Sequence, residues 1–485
     1  MKIVLVSAEA VPYCKVGGLA DVVGALFEEL SLRKTENIEV SLALPYYRKI
    51  IKPEGIYHTG VKFNLSMGSV SYEFNVFKKE NVYFFASEKL FDREGIYGDR
   101  GGYYEDNAFR FAFFSRAVLE YFKKAGYQPD LFHLHDWQTS LIPLYINTYY
   151  KNDPLYRKTA TVLTIHNAGY QGIFPPYILK DLDIPEGLFT PEGVEFYGNI
   201  NFLKTGILFS DIITTVSKRY AEEITTPEYG GGLDGILRKR ANDLYGILNG
   251  IDYNTWSPEK DQLIYSRYSS NNLRGKALCK YQLLKQCSLD FERGKPIVAY
   301  IGRLDHQKGI ELIISIIRSL LDYGVSLIIL GEGNLSDEDS LMKIKRPTDK
   351  RLFINIGFDD TLAHRIYAGA DIIMMPSKYE PCGLVQMISL RYGTIPVARN
   401  TGGLSDTIID FNPFTCKGTG FLFDDYSTSA FLEALKRAFT VYTDRRRWRE
   451  IMRTAMQMDF SWSISVSEYI KIYRKARDRK NEYKN

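Results

Sequence analysis

The sequence predicts an α/β protein built from two doubly wound parallel sheets, on three observations. Short apolar runs of strand length alternate with helical segments along nearly the whole chain. That alternation occurs twice. Polar, charged and glycine-rich stretches fall at the ends of the strand runs, where open parallel sheets bind ligands. The length of 485 residues also exceeds what one hydrophobic core usually serves, so two domains are expected.

In the first half the strand runs are IVLVSA, IEVSLALP, DLFHLHD, TVLTIHN, DIITTVS and YGILNG. A hairpin-like pair, VSYEFNVF and NVYFFAS, interrupts them near residues 70–87. In the second half they are PIVAYIGR, SLIILGEG, LFINIG, DIIMMPS, TIPVARN and GFLFD, with helical segments such as GIELIISIIRSLLDYG and TLAHRIYAGA between them. Crossovers of this kind join parallel strands. The break falls just after LNGID, near residues 249–257, and a polar stretch follows it. The expected domains are 1–248 and 249–463. A terminal helix, 464–485, is expected to cross back to the first domain.

Composition narrows the function classes. The chain is 45% hydrophobic and 25% charged, as globular proteins are. A net charge of +4 does not imply nucleic acid, and the basic tail KARDRKNEYKN reads as a solvated helix end. Five cysteines (Cys14, Cys279, Cys287, Cys382, Cys416), with no CxxC, argue against a disulfide framework and a zinc site and fit a reducing cytoplasm. No run of 18 apolar residues predicts a membrane span, and Met1-Lys2 leads straight into a strand rather than a signal peptide. Aromatics reach 14%, with 35 tyrosines, a residue common where proteins meet sugar rings and also in any core.

The candidate site residues come in order along the strand ends. KVGGLADVVGAL opens a helix after the first strand. Gly17 and Gly18 let the backbone approach a ligand, the helix N-terminus offers N–H groups, and Lys15 adds a charge. Such a turn suits a phosphate; a tight turn with a surface lysine is the alternative. Asp136 and Trp137 follow DLFHLHD, His166 and Asn167 end TVLTIHN, and Asn249 ends YGILNG. His133 and His135 share one face of their strand, but no third ligand is evident, so no metal is expected. Arg303 and Lys308 flank a helix start at Gly309, where two cations repel one another and the helix dipole unless an anion lies between them. Glu380 precedes the turn Cys382-Gly383-Leu384, either as a helix cap or facing a sugar hydroxyl or a developing cation. Cys382 lacks the partners of a cysteine hydrolase and reads as a packing or sugar-contact residue. Thr401-Gly402-Gly403 opens a further helix and suits phosphate. The stretch GGGLDG, 230–235, matches G-x-G-x-x-G but follows a helical run and Pro227 rather than a strand, so it is no dinucleotide fingerprint and reads as a flexible loop.

With these residues in view, the chain resembles the bacterial glycogen synthase and starch synthase family. The stretches that carry the resemblance run from end to end: KVGGLADVVGAL, LFDREGIYGD, DNAFRF, HDWQTSLIP, TIHNAGYQG, TPEYGGGLDGIL, NGIDYNTW, GRLDHQKG, AHRIYAGAD, YEPCGL, LRYGTIPVARNTGGLSDT, GTGFLF and FSW. The resemblance implies the GT-B fold, two Rossmann-like domains with the active site between them. It implies transfer of glucose from ADP-glucose to the non-reducing end of an α-1,4-glucan, with configuration retained, no metal, and ADP-glucose a substrate rather than a cofactor. Lys15, Gly17 and Gly18 would meet the donor's phosphates and glucose, and Asp21 the sugar or acceptor. Arg303 and Lys308 would hold the diphosphate, and His166 and Asn249 the transferred glucose. Glu380 would be the essential cleft carboxylate. Cys382, Gly383 and Leu384 would line the glucose site, Thr401, Gly402 and Gly403 would face phosphate, and Asp136 and Trp137 the acceptor. Phe27, the run Lys204-Thr205-Gly206 and the Ser463-Ile464 pair after FSW depart from the family pattern, which puts local packing rather than activity in question.

Overall fold

The strand runs sit in two sheets in a computed structural model that describes residues 1–33, 36–48, 50, 54–99, 102–292, 294–346 and 348–482. The chain divides into two compact units. Unit 1 comprises Met1–Val216, Ala221–Ile247 and Trp462–Asn485; unit 2 comprises Ser217–Tyr220 and Leu248–Ser461. The unit boundary thus falls one residue before the sequence-based one, and the return to unit 1 begins at Trp462 rather than 464. Ser217–Tyr220 joins unit 2, where the Arg219 N–H donates to Asp406 at 3.0 Å.

The nine-stranded sheet of unit 1 contains β1 (Lys2–Val6), β2 (Glu39–Pro45), β3 (Tyr57–Met67), β4 (Val70–Lys79), β5 (Val82–Ala86), β6 (Leu131–His135), β7 (Ala160–Ile165), β8 (Ile212–Thr215) and β9 (Leu244–Gly246). Their spatial order is β9-β8-β7-β6-β1-β2-β5-β4-β3. The strands from β9 to β5 pair in parallel, and both β4 pairings are antiparallel. The central strands are buried on both faces and therefore read as continuous apolar runs. Strand β3 was not expected. Only three of its eleven positions are buried, so its sequence YHTGVKFNLSM carries too little apolar signal, and Gly60 interrupts it. Its hairpin with β4 turns at Gly68 (φ +54), in the left-handed region that glycine tolerates.

Helix α1 (Gly18–Ser31) buries Ala20, Val22, Val23, Leu26 and Leu30 along one stripe. Helix α2 (Asn107–Lys124) carries much of the aromatic core; Phe111, Phe113, Phe114 and Phe122 are fully buried. The C-terminal helix Trp462–Glu482 packs on unit 1. There Tyr473 Oη lies 2.8 Å from His133 Nδ1, and Lys480 pairs with Asp211 at 3.0 Å.

Unit 2 has six parallel strands: β10 (Ile297–Ile301), β11 (Ser326–Gly331), β12 (Leu352–Ile356), β13 (Ile372–Met375), β14 (Ile395–Arg399) and β15 (Phe421–Phe423), in the order β12-β11-β10-β13-β14-β15. Helix α3 (Ile310–Tyr323) follows β10, α4 (Val385–Arg391) follows β13, and α5 (Gly402–Thr407) follows β14.

Strand order fixes where each site belongs. In unit 1 the order reverses between β1 and β6, and in unit 2 between β10 and β13. Crevices beyond the carboxyl ends of strands at such switch points are where open α/β sheets bind ligands.

Candidate active site

The switch point of unit 1 is built by the segments after β1, β6 and β7. Lys15 lies in the turn before α1 and pairs with Asp21 at 2.7 Å, with both side chains substantially exposed. It is an exposed lysine held in an ion pair. The backbone N–H of Gly17 donates to Glu9 Oε2 at 3.0 Å, and the N–H of Val16 donates to the same oxygen. Glu9 is 2% exposed, and Tyr97 donates to its other oxygen at 2.5 Å. A protein carboxylate thus takes two of the N–H groups that the turn was expected to offer a ligand. Around Gly17 and Gly18 a Cβ would meet nothing within 4 Å, so open space remains there. The only sequence signal for Glu9 was an acidic residue three positions past a buried strand.

After β6, Asp136 adopts φ +56, uncommon for a residue with a side chain. Its carboxylate accepts the His166 N–H at 2.7 Å and is also approached by the Asn167 N–H. Burial raises its pKa to about 7 against these hydrogen bonds. Asp136, His166 and Asn167 are thus brought together. His135 Nδ1 lies 3.0 Å from His166 Nε2, and each imidazole is held neutral by burial, His166 with its pKa lowered to about 3. His133, whose pKa burial also lowers to about 3, has Thr164 Oγ1 at 2.6 Å from Nε2 and Tyr473 Oη at Nδ1. Both nitrogens are occupied by hydroxyls, and among the described residues no group of three metal-ligating side chains occurs. Trp137 packs edge-on to Phe111 at 5.1 Å, and a Cβ on Gly172 would lie 2.5 Å from its ring. In this unit it is chiefly a packing residue.

The 230–235 stretch is tied down rather than loose. Gln171 Nε2 donates to the carbonyls of Gly231 and Ala168, both at 2.9 Å, and Gln171 Oε1 accepts from Asn201 at 2.6 Å. No strand precedes it; it runs into the helix Asp234–Lys239.

In unit 2 the turn after β10 carries Arg303 and Lys308. Arg303 pairs with Asp305 at 2.7 Å and donates to Gln307 at 2.8 Å. Lys308 Nζ pairs with Glu380 Oε2 at 2.5 Å, and Ser377 donates to the same oxygen at 3.2 Å. The two cations do not face each other bare across the helix start, because each has its own carboxylate. Asp305 and Ser377 are the partners that sequence reasoning missed.

The turns after β10, β13 and β14 are locked together by backbone. Gly309 (φ +72) sits where a Cβ would lie 2.1 Å from the Pro376 carbonyl, and the Lys378 N–H donates to the Gln307 carbonyl at 2.9 Å. A Cβ on Gly402 would lie 1.9 Å from the Glu380 carbonyl, and one on Gly403 2.0 Å from the Cys382 carbonyl. The Gly403 N–H donates to that Glu380 carbonyl at 3.0 Å. These glycines hold the Glu380 segment close to α5, and Thr401, 1% exposed, stands at its start. Gly383 (φ +74) and Leu384 lead into α4. Asn249 approaches the Cys382 thiol, yet its buried Oδ1 has no partner among the described residues. Burial raises the Cys382 pKa to about 12, which disqualifies it as a nucleophile at neutral pH.

Two doubly wound units, each with charged groups and glycine turns at a topological switch point, define a glycosyltransferase of the GT-B fold. Comparisons with known proteins agree. Residues 2–239 match the starch synthase catalytic domain, and residues 285–455 match the glycosyl transferases group 1 family. The chain is 45% identical to a glycogen synthase of Thermodesulfovibrio yellowstonii, over 98% of this chain and 97% of that one. It is 43% identical to one of Fervidobacterium nodosum over 99% of both. The solved catalytic domain of starch synthase IV from Arabidopsis thaliana, bound to ADP and acarbose, superposes with a TM-score of 0.89 at 33% identity, covering 99% of both chains. The chain belongs to the glycogen synthase and starch synthase family.

Proposed function

We propose that the enzyme transfers glucose from ADP-glucose to the non-reducing end of an α-1,4-glucan, glycogen or starch, with retention of configuration. The observation that carries this reading is the Lys308–Glu380 pair beside Arg303 at the switch point of unit 2. The starch synthase with the same fold was solved with ADP and acarbose.

Breaking the glucose–phosphate bond leaves negative charge on ADP and positive charge at the anomeric carbon. Arg303 and Lys308 serve the first, and preorganised cations of this kind are worth about 3 kcal/mol each in the transition state. Glu380 orients Lys308 and faces the sugar. The unpartnered Asn249 Oδ1 accepts from a glucose hydroxyl, and His166, kept neutral, contacts the same sugar. The acceptor hydroxyl attacks from the face the phosphate leaves, and its proton passes to a phosphate oxygen. Lys15, Gly17 and Gly18 meet the donor, Asp21 and Asp136 the sugar or acceptor. Donor and glucan are substrates, and the reading uses no cofactor or metal. Few cysteines and no CxxC support a reducing compartment, the cytoplasm or a plastid-like stroma. Among the described residues no helix is long and apolar enough to cross a membrane.

Nucleotide release with glycogen present, offering ADP-glucose and UDP-glucose separately, tests this. Glycogen-dependent ADP release with chain lengthening is the expected result. Release from UDP-glucose alone overturns the donor, and inversion at the anomeric carbon overturns the stereochemistry.

A further inference from the structure

Unit 2 contains a cavity of about 770 Å³ whose lining shares no residue with the site above. That volume is in the range of small-molecule sites. It lies between the start of the helix Arg274–Gln286 and one face of the helix Arg445–Met456.

Its lining is charged in one sense. Arg445, Arg449 and Arg453 recur every four residues, so they share a face of their helix, where like charges at this spacing repel. The helix's other arginines are matched: Arg446 pairs with Glu450 and Arg447 with Asp444. Among the described residues, none of the three that line the cavity has a carboxylate within ion-pair reach. Arg445 lies over the Tyr442 ring at 4.5 Å, and Arg453 donates only to the Ser270 carbonyl at 3.3 Å. The facing helix begins with Arg274 and Lys276 in its first turn and no acid there, against the sense of its dipole. Lys280, also in the lining, is neutralised by Asp371 at 2.6 Å. Glu292 is the one other acid in the lining.

A second, independent feature points the same way. Trp448 lines the cavity, is 3% exposed, and its indole N–H has no hydrogen-bond partner among the described residues. A buried N–H left unmade is costly, and it can only be satisfied by an acceptor. Burial lowers the Lys276 pKa to about 7, as befits an ammonium whose partners are the Thr394 hydroxyl at 2.8 Å and backbone carbonyls. With those acceptors the Lys276 ammonium is spent on the protein, and the donors left for a ligand are the guanidinium groups and the indole N–H. Tyr281, Tyr442 and Trp448 add ring faces.

We infer that this cavity binds a phosphate monoester carried on a ring, the guanidinium row gripping the phosphate and the aromatic walls the ring. The phosphate follows from three guanidinium groups on one helix face, none paired to a carboxylate among the described residues. The ring follows from the volume, which a bare phosphate would leave mostly empty. A sugar phosphate and a nucleoside monophosphate share this chemistry.

Calorimetric titration of the full chain, with ADP saturating, tests the assignment using glucose 1-phosphate, AMP and inorganic phosphate as separate probes. One of the two esters is expected to bind one-to-one, and which of them binds identifies the source. Arg449→Glu, on an exposed helix face, is expected to weaken that ester by about tenfold or more. Its transferase activity without the ester stays at the wild-type level, which verifies the fold. Trp448→Phe, which removes the N–H and part of the aromatic wall, is also expected to weaken it. Absence of ester binding, binding of inorganic phosphate alone, or an ester affinity unmoved by Arg449→Glu would each overturn the proposal.

Discussion

Lys308 Nζ and Glu380 Oε2 lie 2.5 Å apart, with the two side chains 23% and 5% exposed. One turn after β10 and one after β13 are thereby joined by a nearly buried ion pair at the point where strand order reverses. Removing one member of such a pair leaves the other uncompensated and costs about 3–5 kcal/mol, whereas removing both costs far less.

Lys308→Ala is accordingly expected to lower both stability and turnover, and Lys308→Ala with Glu380→Gln to recover much of the stability but none of the activity. Urea unfolding beside ADP release, run where each variant is folded, separates the two effects. The expected loss in turnover is roughly 100- to 1,000-fold. Near-normal turnover by folded Lys308→Ala would falsify the phosphate role.

Two glycine substitutions contrast. Gly403→Ala places a Cβ 2.0 Å from the Cys382 carbonyl and must displace the Glu380 segment. It is expected to cost about 1–3 kcal/mol as overpacking does, with activity falling in step. Gly17→Ala meets nothing within 4 Å and is expected to leave the unfolding midpoint unchanged. Its activity falls all the same if donor occupies that space. Full activity in Gly17→Ala removes this turn from the binding site.

Stability has a definite pH dependence in unit 1. His133 and His135 are fully buried and held neutral, while the unfolded chain protonates them near 6.5. Their contribution is present above pH 6.5 and is lost as pH falls toward 3, at about 1.4 kcal/mol per pH unit for each. Asp136 acts oppositely: its pKa rises from 3.8 to about 7, so its contribution is present below pH 3.8 and is lost as pH rises to 7. Between pH 4 and 6.5 these two histidines and His166, likewise held neutral, outweigh Asp136 three to one. Unfolding free energy from these groups should fall on acidification. Asp136→Asn should steepen that fall and His133→Gln should flatten it, as urea midpoints at pH 7, 6 and 5 would reveal.

Tyr473→Phe removes the hydroxyl at buried His133 Nδ1. The orphaned ring nitrogen is expected to cost about 1–3 kcal/mol. Thermal unfolding reads the loss, and a Tyr473→Phe/His133→Phe double variant should be less destabilised than the sum of the two singles.

Much of this was legible in the sequence because parallel strands buried on both faces leave unbroken apolar runs, and strand ends mark where polar groups collect. Gly402, Gly403, Arg303, Lys308 and Glu380 were singled out that way, and the structure gathers them at the ends of β10, β13 and β14. Strand β3 was not, since its outward positions are polar and it has few buried ones. Glu9, Asp305 and Ser377 were missed for a different reason. Each acts through a partner that folding brings close, such as the Val16 and Gly17 amides or the Glu380 carboxylate, and spacing along the chain does not reveal which anion a cation will choose.

The partnership of Tyr473 with His133 spans 340 positions of chain, and all of unit 2's main segment is made in between. At roughly 5–20 residues per second of synthesis, His133 waits about 17–70 s before the tyrosine that partners it exists. During that interval the His133 side of β6 lacks the helix that covers it while the second unit is being made. A chaperone that shields this face would protect the molecule over that interval, and a translational pause before Trp462 would lengthen it.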